Sequence, residues 1–250
     1  MFKGIVVNGI LNSEDIIASD AYRPGLDKAK QMYGIRIAEN NLEVVENADV
    51  IVLAVKPYMY GEVAEEIRDM LGDNHIILTI APGKTLSWLA EQFGENVKIV
   101  RTMPNTPSMV GEGMTGVCKN KHITQEEFDE VCRVLRGFGR VGVVPEDLMD
   151  VVVAVSSSSP AYIFMFIEAM ADAASADGMP RDQAYGFAAQ AVLGSARMIL
   201  ETGKHPGELK DMVCYPGGTT LEAVRVLEDH KLRSSVFEAM KACVAHAKKM

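Results

Sequence analysis

The sequence is short of several things, and each shortage excludes a class of protein. Positive charge is the first: 25 lysines and arginines face 34 aspartates and glutamates, for a formal net charge of −9. A binder of phosphate backbones needs a positive stripe, and the short patch Lys119-Asn120-Lys121-His122 reads as solvated loop charge, so no nucleic-acid partner is expected. Cysteine is the second. Cys118, Cys132, Cys214 and Cys243 are widely spread with no CxxC pair, a pattern of reduced thiols rather than a disulfide framework. His75, His122, His205, His230 and His246 show no metal-ligand spacing, so no metal is expected. Long apolar runs are the third: Val151 to Val155 and Tyr162 to Ile167 fall far short of the roughly 18–20 residues that span a bilayer. At the amino terminus no basic region precedes an apolar stretch, and Glu14, Asp15 and Asp20 arrive early, so no signal peptide is read there. The expectation is a cytoplasmic protein without a membrane segment.

What is present is a repeated alternation. With 48% hydrophobic and 24% charged residues, 250 residues suffice for one large domain or two smaller ones. Ile16 to Ser19 reads as a strand, Arg23-Pro24-Gly25 as a turn, and Leu26, Ala29, Met32 and Tyr33 as a helix face stopped by Gly34. Val50 to Val55 is a continuous apolar run, the mark of a parallel strand covered on both faces, and Val63, Ile67, Met70 and Leu71 follow at helical spacing. The cycle repeats with strand Ile76 to Ile80, turn Ala81-Pro82-Gly83, helix Leu86 to Phe93 and strand Val97 to Val100. Thr124 and Glu127 form a capping box ahead of another helix, and Val141 to Val144 closes the alternation. This predicts an α/β fold with a doubly wound, mostly parallel sheet.

Beyond Glu146 strand signals vanish. Helical patterns run from Ala161 to Ser175, Arg181 to Thr202, Thr220 to Glu228 and Arg233 to Lys248. The expected division is therefore 1–147, Rossmann-like, and 148–250, all-helical, with the apolar helical half forming a homodimer interface. One expected feature is missing at the start. Met1 to Gly9 looks like the last turns of a helix, whereas a doubly wound fold normally begins with a strand and a glycine-rich turn. The expectation is that the first strand and its glycine loop are absent from this sequence.

In open α/β sheets ligands bind beyond the carboxyl ends of the strands. Those tips are Ser19-Asp20, Ala54-Val55-Lys56-Pro57, Ala81-Pro82-Gly83 and Thr102-Met103-Pro104-Asn105-Thr106-Pro107, together suited to a nucleotide crevice. Lys56 offers an ammonium to a phosphate or ribose; Asp20 favours a free ribose 2′-hydroxyl, whereas Ser19 and Arg23 favour a 2′-phosphate, leaving NAD and NADP both open. The second patch runs from His205 to Thr220 and ends in Pro216-Gly217-Gly218-Thr219-Thr220. A helix that starts there presents its first N–H groups to an anion such as a carboxylate, with Thr220 beside it. Thr219 and Glu222 stand at capping-box spacing, Lys210 and Asp211 read as structural, and Cys214 has no evident histidine partner.

Four segments carry a family resemblance: Ala54 to Pro57, Arg101 to Pro107, Ser158 to Tyr162, and His205 to Glu228 with its Leu-Lys-Asp-x-Val-x-x-Pro-Gly-Gly-Thr-Thr run. With these the chain resembles the pyrroline-5-carboxylate reductases over essentially its whole length. The resemblance implies a dinucleotide-binding domain for NADPH or NADH, a helical domain that dimerises, and reduction of 1-pyrroline-5-carboxylate to L-proline. It implies cofactor contacts at Ser19, Asn41, Ala54, Val55, Lys56, Pro57, Thr102, Met103 and Pro104. It implies substrate contacts at Gly218, Thr219 and Thr220, with the Thr220 hydroxyl at the ring nitrogen as the catalytic group. The sequence departs from the family at its start, at Ser157-Ser158-Ser159-Pro160, where Gly-Ser-Gly-Pro is usual, and at Tyr215, where Ser or Thr is commoner. Two other readings compete. A hydroxyacid dehydrogenase would carry a catalytic lysine between Ala161 and Ala176, which has none; a cofactor-deficient dimerising subunit would explain the missing glycine loop.

Overall fold

The computed structural model describes residues 1–249, which form two compact units. The first is Met1–Ser158 together with the end of the last helix from Cys243 onward; the second is Ser159–Ala242.

In chain order the first unit begins with helix α1 (Phe2–Val7), strand β1 (Ile17–Ala18), α2 (Arg23–Tyr33), β2 (Arg36–Ile37) and α3 (Asn41–Glu46). It continues with β3 (Val50–Leu53), α4 (Tyr60–Ile67), β4 (Ile76–Thr79), α5 (Leu86–Phe93), β5 (Lys98–Met103), β6 (Gly113–Lys119), α6 (Gln125–Leu135), β7 (Gly139–Val143) and the short α7 (Met149–Val152). The helix boundaries follow local chemistry. Arg23-Pro24-Gly25 is the first turn of α2 rather than a preceding turn, because proline lacks the N–H that a first helical turn leaves unused. Gly34 ends that helix in the left-handed region (φ +70°), where a Cβ would be strained. Thr85 caps α5 by accepting from Trp88 N, and Thr124 with Glu127 makes the expected reciprocal box at α6.

The strands form two pieces. β1 and β2 pair in parallel as a two-stranded sheet, and β3-β4-β5-β6-β7 form a five-stranded sheet. All pairings are parallel except β5 with β6, which run antiparallel with Arg101 opposite Cys118. Strand β6 was not anticipated: Gly113, Thr115 and Gly116 break its apolar pattern, yet Gly113 and Thr115 to Cys118 are buried. Gly113 and Gly139 explain the composition. A Cβ on Gly139 would overlap the Gly113 backbone, and one on Gly113 would run into Ser108 and the Phe138 carbonyl. The core lies on both faces of the larger sheet. Ile51, Leu53, Tyr60, Ile67, Ile77, Leu89 and Ile99 pack on one side; Leu78, Val100, Val117, Phe128, Val131, Leu135 and Phe138 on the other.

The second unit holds α8 (Ser159–Ala176), α9 (Arg181–Thr202), α10 (Pro206–Val213), α11 (Thr219–Asp229) and most of α12 (Leu232–Ala247). The segment His205–Val213, read from sequence only as part of a ligand patch, is largely helical, with Pro206 at the first position. Helix α8 is entered through a π-helical turn, Val153–Ser158. The resulting helical run, 146–176, is long and apolar enough to cross a membrane by length and composition (mean hydropathy 1.5). Val151 to Val155 and Tyr162 to Ile167, expected from sequence as separate short runs, are both contained in this one continuous helical run. Its first half, however, is held by polar contacts to the sheet: Arg101 pairs with Glu146 and Asp150, and Asn105 bonds Ser156.

Candidate active site

The parallel strands β3, β4 and β5 deliver Ala54–Pro57, Ala81–Gly83 and Pro104-Asn105 to one rim. A buried chain of hydroxyls ties these tips together. The Tyr60 hydroxyl donates to the Leu53 carbonyl at 2.8 Å and lies 2.8 Å from Thr79 Oγ1. Its single proton is thus engaged, so Thr79 Oγ1 donates to it and in turn accepts from Ala81 N at 3.2 Å. Thr102 Oγ1 donates to the Thr79 carbonyl at 2.8 Å. Tyr60, Thr79 and Thr102 are all fully buried, and burial pushes the Tyr60 phenol up. Sequence reasoning missed Tyr60 and Thr79. The available signal was the hydroxyl of Thr79 at the end of an otherwise apolar β4.

This arrangement redistributes the expected cofactor contacts. The Thr102 side chain faces inward, and Met103 packs with Cys118 and Met149, so the rim offers the backbone of that segment and the half-buried Pro104 instead. Ala54 and Lys56 are exposed, Val55 and Pro57 half-buried, and Lys56 makes no ion pair among the described residues. Ser19 Oγ donates to Asn41 Oδ1 at 2.7 Å, and Asn41 Nδ2 donates to Glu66 at 2.7 Å, so these two predicted residues do meet. Asp20 accepts from Tyr22 N in a local turn, while Arg23 lies against Asp27 and Glu39.

A second network lies beneath the rim. Arg101 is 2% exposed, with Nη1 donating to Glu146 Oε1 at 3.1 Å, Nη2 3.8 Å from Asp150, and Nε without a partner. Glu146 Oε1 also accepts from Leu86 N at 2.6 Å, at the start of α5. Burial, reinforced by the Glu146 charge and opposed by Arg101, pushes the neighbouring Cys118 thiol up to about 12.

Two stretches have glycine spacing G-x-G-x-x-G, at Gly111–Gly116 and at Gly137–Gly142. Both lead into strands, β6 and β7, rather than from a strand into a helix. Packing accounts for them: a Cβ on Gly116 would meet Val152 at 2.7 Å, and one on Gly137 would meet Ile10 at 2.9 Å. Among the described residues no glycine-rich turn therefore leads from a strand into a helix.

In the second unit, α11 starts where the sequence places it. Its N-cap is Gly218, and no side chain caps it. The capping box expected from Thr219 and Glu222 is not formed, since Thr219 is already the first helical residue and Glu222 pairs with Arg225. Gly218 is buried, and its N–H donates to the Tyr215 carbonyl at 3.0 Å, which leaves the first-turn amides of Thr219 and Thr220 as the outward donors. The Tyr215 ring occupies the place of a Gly218 side chain: a Cβ there would lie 2.7 Å from it. Cys214 is half-buried, and Lys210 pairs with Asp211.

Comparison with known proteins bears directly on this pair of sites. Residues 146–250 match the family model for pyrroline-5-carboxylate reductase dimerisation, and residues 1–83 that for NADP oxidoreductase, coenzyme F420-dependent. The pyrroline-5-carboxylate reductase of Escherichia coli K12 is 49% identical, over 98% of this chain and 93% of its own. The chain belongs to the pyrroline-5-carboxylate reductase family. Among solved structures, the family member from Coxiella burnetii superposes with a TM-score of 0.91 at 36% identity, over 99% of this chain and 93% of that one. The Plasmodium falciparum pyrroline carboxylate reductase with NADP bound gives 0.89 at 29% identity, over 98% and 91%. A Rossmann-like sheet followed by a helical dimerisation domain is thus the fold of this family member.

Proposed function

We propose that this chain reduces 1-pyrroline-5-carboxylate to L-proline, the last step of proline biosynthesis, using NADPH or NADH. The observation that carries the reading is the start of α11: a Pro-Gly-Gly turn ahead of a helix whose first amides have no side-chain cap. Such a terminus attracts a carboxylate through its unpaired N–H groups and the helix dipole. The amides of Thr219 and Thr220 would bind the substrate anion, Gly218 would allow its close approach, and the Thr220 hydroxyl would orient the ring nitrogen. A threonine hydroxyl is a poor acid at neutral pH, so its role is orientation and the imine proton comes from solvent. Bound at the rim, the reduced dinucleotide supplies a hydride to the imine carbon. Ser19 and Asn41 would hold its adenosine ribose, Lys56 its phosphates, and the segments Ala54–Pro57 and Thr102–Pro104 the nicotinamide side. On this reading residues 1–147 bind the dinucleotide, 148–250 bind the substrate and form a homodimer, and the enzyme is cytoplasmic.

The test is direct. Thr220→Ala should lower kcat for imine reduction by about tenfold to a hundredfold, the range for one lost orienting hydrogen bond, with dinucleotide affinity unchanged. Equal loss of both would refute the role of Thr220. Titration of the chain with NADPH and NADH is the companion test: saturable binding of either supports the reductase reading, and binding of neither refutes it.

A further inference from the structure

The π-helical turn Val153–Ser158 has an identifiable cause and an identifiable partner. In an unbroken α-helix the carbonyl of Ser156 would accept from the amide four residues on, but residue 160 is proline and has none. The side chain of Asn105, just past β5 on the cofactor rim, replaces it. Asn105 Nδ2 donates to the Ser156 carbonyl and to Ser156 Oγ, each at 3.2 Å, while its Oδ1 accepts from Met114 N at 2.9 Å. One residue on, Ser157 Oγ donates to the Pro104 carbonyl at 3.2 Å. The turn therefore grips both Pro104 and Asn105, the part of β5's tip that remains accessible once Thr102 and Met103 face inward.

We infer that Asn105 is a positioning residue for the reaction: together with Ser157 it latches the rim tip onto the turn from which α8 departs. This rests on the reductase reading above, because it matters to catalysis only if the tip carries a dinucleotide. The remaining anchors of the segment lie deeper and hold it in place from below. Arg101 binds Glu146 and Asp150, and Gly116 leaves room for Val152. The bonds of Asn105 and Ser157 are the ones described that reach the rim tip itself. A hydride transfer requires its two reactants within a fraction of an ångström of a productive approach, so a loosened tip should slow the chemical step without weakening binding in proportion.

A simpler role for Asn105 is that it only shapes the loop into β6 through its bond from Met114 N. Asn105→Asp separates the two, since the carboxylate keeps that acceptor and loses the donor to Ser156. If the latch operates, Asn105→Asp and Asn105→Ala lower kcat alike, by about tenfold or more, with the dinucleotide Kd within about twofold of the parent. Ser157→Ala should give a smaller loss of the same kind. Pro160→Ala restores an amide for Ser156 and should also lower kcat. If Asn105→Asp keeps full kcat while Asn105→Ala does not, the latch is refuted. Hydrogen exchange over residues 153–158 gives a readout independent of turnover: the latch requires faster exchange in Asn105→Asp, and unchanged exchange refutes it. A parent chain that does not reduce the imine would overturn the functional reading, while the exchange result would still decide the latch.

Discussion

The two units are nearly equally apolar in sequence but not in how they dispose of that surface. In the sheet unit, Tyr60, Phe138, Ile77, Leu89, Ile99 and Leu135 are almost wholly covered, and all three hydrophobic clusters lie there. In the helical unit the buried hydrophobic residues among those described are the alanines Ala171, Ala184 and Ala188, while Phe164, Met165, Phe187, Leu200 and Met212 are each at least 60% exposed. Apolar content therefore does not by itself make a core. The sheet buries its strands with its own helices, whereas α8 and α9 touch each other through small residues and leave their large ones outward. Such a face is stable in water once another surface covers it, and a second copy of the chain is the cover that the proposed homodimer supplies.

The comparison can be broken first where it predicts most. Phe164→Glu combined with Phe187→Glu alters two exposed side chains, which in an isolated chain should cost almost nothing. If a second copy covers them, the loss is about 2 kcal/mol for each side chain in each copy, and sedimentation velocity should show the assembly dissociated. An unaltered sedimentation coefficient would show that these faces stay in solvent. A smaller effect probes the sheet unit. Tyr60→Phe leaves the Leu53 carbonyl buried without its donor and should cost about 1–2 kcal/mol, read as a shift in urea midpoint, with little change in assembly. The smallest concerns pH. Lys98, 2.5 Å away, together with the Thr124 backbone, holds the Glu127 carboxyl at about 2 against an ordinary 4.5. A folded value below the unfolded one stabilises at pH above 4.5, and that contribution fades as pH falls toward about 2. Glu127→Gln should therefore lower the melting temperature slightly near neutrality and flatten its decline over that acid interval.

Most elements were legible because their signals are local. The capping box at Thr124, the Gly34 stop of α2, and the apolar runs of β3 and β4 each act within a few residues. Strand β6 was not legible, because its glycines answer to Gly139 and Val152, partners far along the chain. The same holds for the site. The Pro-Gly-Gly-Thr-Thr start of α11 is written in consecutive letters, and so is each strand tip. That Thr102 turns inward to Thr79, and that Asn105 substitutes for a missing amide at Pro160, depends on pairings between segments that no spacing reveals. Family resemblance named Thr102 as a contact; the fold assigns its hydroxyl to holding the rim together.

The thiol opposite Arg101 has a practical consequence. With its ionisation pushed up to about 12 and its side chain covered, Cys118 yields essentially no thiolate at neutral pH, and Cys132 is likewise covered. Alkylating reagents will therefore mark Cys214 and Cys243 first, both part-way open to solvent. The molecule thus arrives with its own selective handles for fluorophores or spin labels, one of them beside the turn that precedes α11.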